Sequence, residues 1–160
     1  MAKKVKVKKT LVEQILTKAG VDHQGIQINA LEGELPSDYD RNHIFKTLAL
    51  LGDKTGPVIG IIPITEHLSE KKLAKISGNK KVAMIPQKDL EKTTGYIHGA
   101  NNPVGIRQKH NYPIFIDETA LELEKMIVSA GEVGHSIIIA PKDLANFVKA
   151  SFVDILEEIN

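Results

Sequence analysis

The chain contains no cysteine and no tryptophan, and aromatic residues make up only 4% of its 160 residues. Without cysteine it cannot use a protein thiol as a nucleophile, bind a metal through thiolates or form a disulfide. The scarcity of aromatic side chains argues against a surface on which nucleic-acid bases stack. The six histidines never fall at the spacing of metal ligands, so we expect neither a metal nor any other cofactor.

Excess charge and long apolar runs are missing as well. The formal net charge is only +1, which gives no bulk electrostatic argument for nucleic acid. The positive charge is local, because five of residues 3–9 are lysines, and we expect residues 1–9 to form a basic tail. No apolar stretch is long enough to cross a bilayer, and no apolar signal core follows the lysines. The sequence therefore predicts a cytoplasmic protein without membrane contact.

The remaining composition, 42% hydrophobic and 26% charged, is typical of one globular domain. Thr10 and Glu13 form a capping box that begins a first helix, and Gly20 follows its end. Because strand patterns outnumber helical ones and often follow one another, we expect an α+β fold with a largely antiparallel or barrel-like sheet. Strands are predicted at residues 24–30, 43–51, 57–64, 81–85, 113–117, 126–129 and 136–140, and helices at 69–76, 87–94, 118–124 (a short turn) and from Pro141 onward, the last with Leu144, Phe147, Val148, Phe152, Ile155 and Leu156 on one face.

Lys46 interrupts a segment, residues 43–50, that is otherwise apolar on both faces of the predicted strand. An unpaired ammonium is costly to bury unless an anion visits it. This pattern indicates an anion or carbonyl site. Lysine is also common as a charge that protects an edge strand from wrong pairing, and the residues alone leave both interpretations open.

Residues 95–105 contain three glycines and a proline. Glycine lacks the Cβ atom that would keep the backbone away from a ligand, so such a loop can present bare N–H groups to a ligand oxygen. The simpler interpretation is a turn with Asn101, Asn102 and Pro103 at its corner. Three glycines exceed what one turn requires, so we favour a functional loop.

Other apparent motifs do not hold. Residues 129–134 resemble a dinucleotide fingerprint or an RNA clamp, but strands flank them where both motifs need helices. A tight hairpin turn is the better interpretation. A trio of Ser129, His98 or His135, and Asp117 could be assembled, but the chain has no nucleophile-elbow sequence.

Several segments together carry a family resemblance, in consistent order and spacing over residues 10–155. They are Phe45-Lys46-Thr47-Leu48, Lys80-Lys81-Val82, Thr94-Gly95-Tyr96-Ile97-His98-Gly99, Pro103-Val104-Gly105 and Val128-Ser129-Ala130-Gly131. In these segments the chain resembles the YbaK/EbsC family, which is similar to the editing domain inserted in bacterial prolyl-tRNA synthetases. The resemblance implies a curved, mixed, mainly antiparallel sheet with surrounding helices and one editing domain over residues 10–160.

The resemblance also implies a free-standing enzyme that removes wrongly attached amino acids from tRNA. Its partner would be aminoacylated tRNA(Pro), and prolyl-tRNA synthetase is a second partner compatible with it. Lys46 would hold the 3′ end of the tRNA, and backbone N–H groups at Gly99, Ala100 and Asn101 would stabilise the ester oxyanion. The remaining implied residues, which contact substrate, are Pro103, Gly105, Ser129 and Gly131.

For a cysteinyl ester the resemblance implies that the substrate's own thiol attacks its carbonyl and leaves a thiolactone. The chain departs from the family at two places. Asn29 and Ala30 stand where relatives commonly have a tyrosine, and Ser136 stands where they have an acidic residue. Hydrolysis of Ala-tRNA(Pro), tRNA binding without catalysis and a small-molecule phosphohydrolase therefore remain alternatives.

Overall fold

The computed structural model describes residues 9–27 and 35–158. The predicted basic tail, apart from Lys9, and the positions of Asn29 and Ala30 lie outside these residues. The described elements, in chain order, are α1 (Leu11–Lys18), β1 (Gln24–Ile26), a 3-10 turn (Arg41–His43), β2 (Phe45–Gly52), β3 (Gly56–Pro63), α2 (Glu70–Ser77), β4 (Val82–Met84), α3 (Gln87–Thr94), α4 (Pro103–Lys109), β5 (Ile114–Asp117), a second 3-10 turn (Glu118–Glu122), β6 (Met126–Glu132), β7 (His135–Ile139), α5 (Pro141–Val148) and β8 (Ser151–Val153).

The strands form two sheets, one of five strands in the order β4-β2-β3-β5-β8 and one of three in the order β1-β7-β6. Of the six strand pairs in the described residues, four are antiparallel and two, β3 with β5 and β5 with β8, are parallel. A mixed, mainly antiparallel α+β fold is therefore confirmed. The prediction of a barrel-like sheet is wrong. β4 and β8 end the larger sheet as separate edges. In the described residues, the two sheets are joined only by one parallel bridge, between Ile44 just before β2 and Ile127 of β6.

Helix α1 begins as the sequence predicts. The Thr10 backbone N–H donates to Glu13 Oε2 at 2.8 Å, and the Glu13 N–H donates to Thr10 Oγ1 at 3.2 Å. These two bonds satisfy N–H groups that the first turn of a helix leaves without partners. Val12 and Leu16 on the inner face are buried in the main core.

The hairpin of β2 and β3 lies at the centre of the molecule because both of its faces are apolar. Phe45 and Ala49 pack into the main core, whereas Leu50 and Ile62 pack into a second core that includes Leu73 of α2. β2 lies between β4 and β3. In the described residues β4 pairs with β2 only over Leu50–Gly52, so Lys46 is paired only on the β3 side, with Ile62, and its interpretation as a protective charge on an edge strand remains an alternative.

Two boundaries differ from the sequence prediction. The loop expected over residues 95–105 ends at Asn102, since Asn102 Oδ1 accepts a hydrogen bond from the Gly105 N–H at 2.6 Å and Pro103 takes the first helical position of α4. The last helix ends at Val148 rather than continuing to Leu156. It ends because Lys149 adopts a left-handed conformation with φ of 57°, and Phe152 then lies in β8 instead of on the helix face.

Candidate active site

A cavity of about 610 Å³ opens beside the N-terminal half of β2. Its walls come from β2, the β6–β7 hairpin, the β4–α3 connection and the loop between α3 and α4. Four of the predicted site residues line it: Lys46, Gly99, Asn101 and Ser129. The fold thus brings the solitary lysine and the glycine loop, which are distant from each other in the chain, to one place.

The other four predicted residues do not line this cavity. Ala100 of the loop and Pro103 and Gly105 of α4 are buried, and Gly131 lies next to α1. A Cβ atom on Gly105 would overlap the Tyr96 hydroxyl, so glycine is needed there for packing. A Cβ atom on Gly131 would lie 3.0 Å from Val12 Cγ2.

The described residues of the cavity wall carry positive charge and no carboxylate. Arg41 and Lys46 are fixed cations, and His98 and His135 line the same space. Lys46 is half-buried, and within the part of the chain that the structure describes it forms no salt bridge. Such a wall attracts an anion, because no neighbouring acid in it neutralises the ammonium and guanidinium groups.

The loop from Gly95 to Asn102 is fastened at both ends. Thr94 Oγ1 donates to the Leu90 carbonyl at 3.1 Å and accepts from the Tyr96 N–H at 3.1 Å. At the other end, Asn101 Nδ2 donates to the Thr47 carbonyl at 3.0 Å. The loop is thereby attached directly to β2, the strand that carries Lys46.

The backbone N–H groups of this loop are not equivalent. The Ala100 N–H donates to the Ile97 carbonyl at 3.0 Å, so it is already occupied. The N–H groups of Gly99 and Asn101 have no partner among the described residues. Gly99 has φ of 89°, a left-handed conformation that side chains disfavour. Among the described residues, the N–H groups of Gly99 and Asn101 are therefore free of protein partners and that of Ala100 is not.

Two residues of the cavity wall each have a buried side-chain atom that lacks a hydrogen-bond partner within the described parts of the chain. The atoms are Thr47 Oγ1 and Asn101 Oδ1, on residues that are only 9% and 8% exposed. Thr47 is not among the site residues predicted from the sequence. The available signal was a hydroxyl residue next to Lys46 in an apolar strand, but only the three-dimensional structure shows that this hydroxyl is left without a partner.

Ser129 lies on β6 directly opposite Ser136 of β7. Its Oγ accepts a hydrogen bond from the Gly131 N–H at 3.2 Å, where the register shifts before the turn. Residues 129–134 are thus part of a β-hairpin, which confirms the prediction made against a dinucleotide fingerprint.

The Ser/His/Asp trio is not assembled. Asp117 is 1% exposed and lies outside the cavity wall, where its carboxylate accepts hydrogen bonds from Thr119 and from the Ile155 N–H. Its role is to cap the 3-10 turn after β5 and to hold the C-terminal segment. In residues 9–27 and 35–158 no three His, Cys, Asp or Glu residues cluster as a metal site would require. In the same residues no helix has the length and apolar character to cross a membrane.

The fold and this cationic, acid-free cavity with its glycine loop describe an α+β protein with a site suited to an anionic ligand. Residues 36–147 match the family of aminoacyl-tRNA editing domains. The chain is 38% identical, over 97% of its length and 98% of the relative, to an Enterococcus faecalis protein provisionally named Cys-tRNA(Pro)/Cys-tRNA(Cys) deacylase EbsC. The chain therefore belongs to the aminoacyl-tRNA editing domain family.

Solved structures agree on the fold. A crystal structure provisionally described as a trans-editing enzyme for prolyl-tRNA synthetase matches with a TM-score of 0.70 and 19% identity, covering 85% of this chain and 87% of that one. Another, described as a hypothetical protein, matches with a TM-score of 0.78 and 20% identity, covering 91% of this chain and 99% of that one. These likenesses show the fold alone.

Proposed function

We propose that this protein is a free-standing deacylase that cleaves the ester of mischarged tRNA(Pro), with Cys-tRNA(Pro) as the main substrate. One observation carries the proposal. Lys46, which has no ion-pair partner among the described residues, shares a cavity with the unoccupied N–H groups of Gly99 and Asn101. A cation for phosphate and donors for an ester oxygen are the two needs of this reaction.

The cavity residues would divide the work as follows. Lys46, with Arg41 at the same wall, would hold the phosphate and ribose at the 3′ end of the tRNA. The Gly99 and Asn101 N–H groups would stabilise the negative charge that develops on the ester carbonyl oxygen. Each such donor contributes roughly a hundred- to thousandfold in rate.

The chain supplies no cysteine nucleophile, and the substrate can supply its own. In cysteinyl-tRNA the side-chain thiol would attack the ester carbonyl carbon, and a carbon–sulfur bond would form. The ester carbon–oxygen bond would break, and the thiol proton would pass to the departing 3′ oxygen of the tRNA. The product is a cyclic thiolactone, which water then opens to free cysteine. Holding thiol and carbonyl together would supply much of the rate.

The need for a separate deacylase follows from the limited selectivity of the synthetase. A synthetase pocket that accepts proline rejects a similar or smaller amino acid by only about 1–3 kcal/mol per methylene difference, so a second, hydrolytic site is needed. Prolyl-tRNA synthetase, which makes the mischarged product, would be a functional partner. A cytoplasmic location follows from this substrate.

The proposal is tested with a panel of tRNA(Pro) charged with cysteine, alanine or proline. We expect cysteinyl-tRNA(Pro) to lose its amino acid fastest and prolyl-tRNA(Pro) to be spared. Binding of all three without faster loss of any amino acid would contradict the proposal and indicate a binding module. Turnover of small phosphate esters without any tRNA cleavage would contradict it in favour of a phosphohydrolase.

A further inference from the structure

We infer that Lys54, Lys80 and Lys81 form a basic patch that binds backbone phosphates of the tRNA close to its 3′ end. This inference rests on the proposed function and extends the substrate-binding surface beyond the cavity. All three side chains are exposed, and none of their ammonium groups forms a hydrogen bond or a salt bridge with the described residues. Lys80 and Lys81 belong to a segment of the family resemblance that does not line the cavity.

Hydrogen bonds between two connections hold the three lysines together. The Asp53 carboxylate accepts from the backbone N–H groups of Lys80 and Lys81 at 3.0 and 3.2 Å. In the other direction, Asn79 Oδ1 accepts from the Lys54 N–H at 2.8 Å. The turn between β2 and β3 is thus bonded to the connection between α2 and β4, so the backbones of the three lysines lie side by side.

The base of the patch is fixed by Asn79, which is only 8% exposed. Its Oδ1 atom also accepts from the Thr55 N–H at 3.0 Å, and its Nδ2 atom donates to Ser77 Oγ at 2.8 Å. A Cβ atom on Gly52 would overlap the Asn79 side chain, so glycine leaves the room that this amide occupies. A backbone that is ordered before the ligand arrives lowers the entropic cost of binding.

The charge of the patch suits a polyanion. Asp53 is the only acidic residue in segments 52–55 and 77–84, and its carboxylate is engaged by backbone N–H groups. The three lysines therefore leave positive charge in excess. An ammonium group is a compact point charge that binds phosphate well, and several of them together attract a nucleic-acid backbone.

Strand β4 connects the patch to the cavity. Lys81 directly precedes β4, and Met84 at the end of β4 lines the cavity. At about 3.3 Å per strand residue, the patch lies about 10 Å from that wall. In a stacked strand each nucleotide adds roughly 3.4 Å, so a tRNA whose ester enters the cavity brings its next phosphates within reach of the patch. This position favours tRNA over an acidic protein as the ligand.

The first test measures binding of the full chain to uncharged tRNA(Pro) over a range of salt concentrations, so it needs no cleavage. The patch variant combines Lys54→Gln, Lys80→Gln and Lys81→Gln. Its affinity at low salt should fall at least about tenfold. The slope of log affinity against log salt should become shallower by about two, because each phosphate contact on a single strand contributes roughly 0.7 to that slope.

The matched control combines Lys18→Gln, Lys142→Gln and Lys149→Gln. It removes the same charge from exposed positions in and beside α1 and α5, none of which lines the cavity. The control should keep the wild-type salt slope. Both variants should keep the wild-type melting temperature, because exposed lysines without salt bridges contribute little to stability.

The second test compares cysteinyl-tRNA(Pro) with 3′-cysteinyladenosine, which carries the same ester but no phosphate. On the tRNA, kcat/KM of the patch variant should fall at least about tenfold while kcat stays within about twofold of the wild-type value, because the patch would bind substrate and transition state equally well. On cysteinyladenosine the patch variant and the wild-type protein should be equally fast, since this substrate has no phosphate to reach the patch.

The outcomes are distinct. If the wild-type protein cleaves neither ester, the proposed function fails, and the salt slope still decides whether the patch binds tRNA. An unchanged slope in the patch variant overturns the assignment and leaves an acidic protein or solvent as the neighbour of these lysines. An equal loss in the control variant overturns it in favour of net charge. Slower cleavage of cysteinyladenosine by the patch variant overturns it in favour of an altered cavity.

Discussion

At the scale of single residues, we propose that anion binding depends on Lys46. It is half-buried in a central strand and has no ion-pair partner among the described residues. Lys46→Met keeps most of the volume of the side chain and removes its charge. We expect the variant to fold, because no ion pair is broken, and to lose at least tenfold in deacylation, about 1.4 kcal/mol of transition-state stabilisation.

The control for this prediction is Lys88→Met, which removes an exposed lysine of α3 that does not line the cavity. Both variants are measured by circular dichroism for folding and by release of radiolabelled amino acid for activity. Near-normal turnover by a folded Lys46→Met protein would contradict a role for this charge in the reaction.

At the scale of elements, the junction between the glycine loop and α4 holds the loop in its conformation. Asn102 is fully buried, caps α4 through its Oδ1 atom and donates from Nδ2 to the Ala100 carbonyl at 3.0 Å. Asn102→Ala removes both bonds. We expect the free energy of unfolding to fall by about 1–2 kcal/mol, the usual cost of a lost cap, with a loss of activity because Asn101 is the next residue.

Asn102→Asp keeps an acceptor for the Gly105 N–H but places an oxygen that cannot donate against the Ala100 carbonyl in a fully buried position, so it should not restore stability. Asn111→Ala is the matched control, since Asn111 is exposed and its amide accepts one bond from Arg107. Urea unfolding should show nearly equal stability for the wild type and Asn111→Ala, and lower stability for both Asn102 variants. Equal stability of Asn102→Ala and Asn111→Ala would show that the cap contributes nothing.

At the scale of the whole molecule, local sequence patterns predicted the helices and strands better than they predicted where these end and which distant residues come into contact. The capping box at Thr10 and the position of Lys46 on an inner strand could be predicted because they depend on neighbouring residues. Helix α4 was missed because Asn102 followed by proline is compatible with a turn corner as well as with a helix start. Arg41 was missed because its place at the site depends on which distant residues share the cavity.

The central claim is that the fold only orients the ester and stabilises its oxyanion, while the substrate provides the nucleophile. The direct measurement compares cysteinyl-tRNA(Pro) with the 2-aminobutyryl analogue, which has a methyl group in place of the thiol, and traps the released product. The account predicts much faster cleavage of the cysteinyl ester and a thiolactone that appears before free cysteine. Equal rates for the two esters, with free amino acid as the first product, would contradict it and require a positioned water.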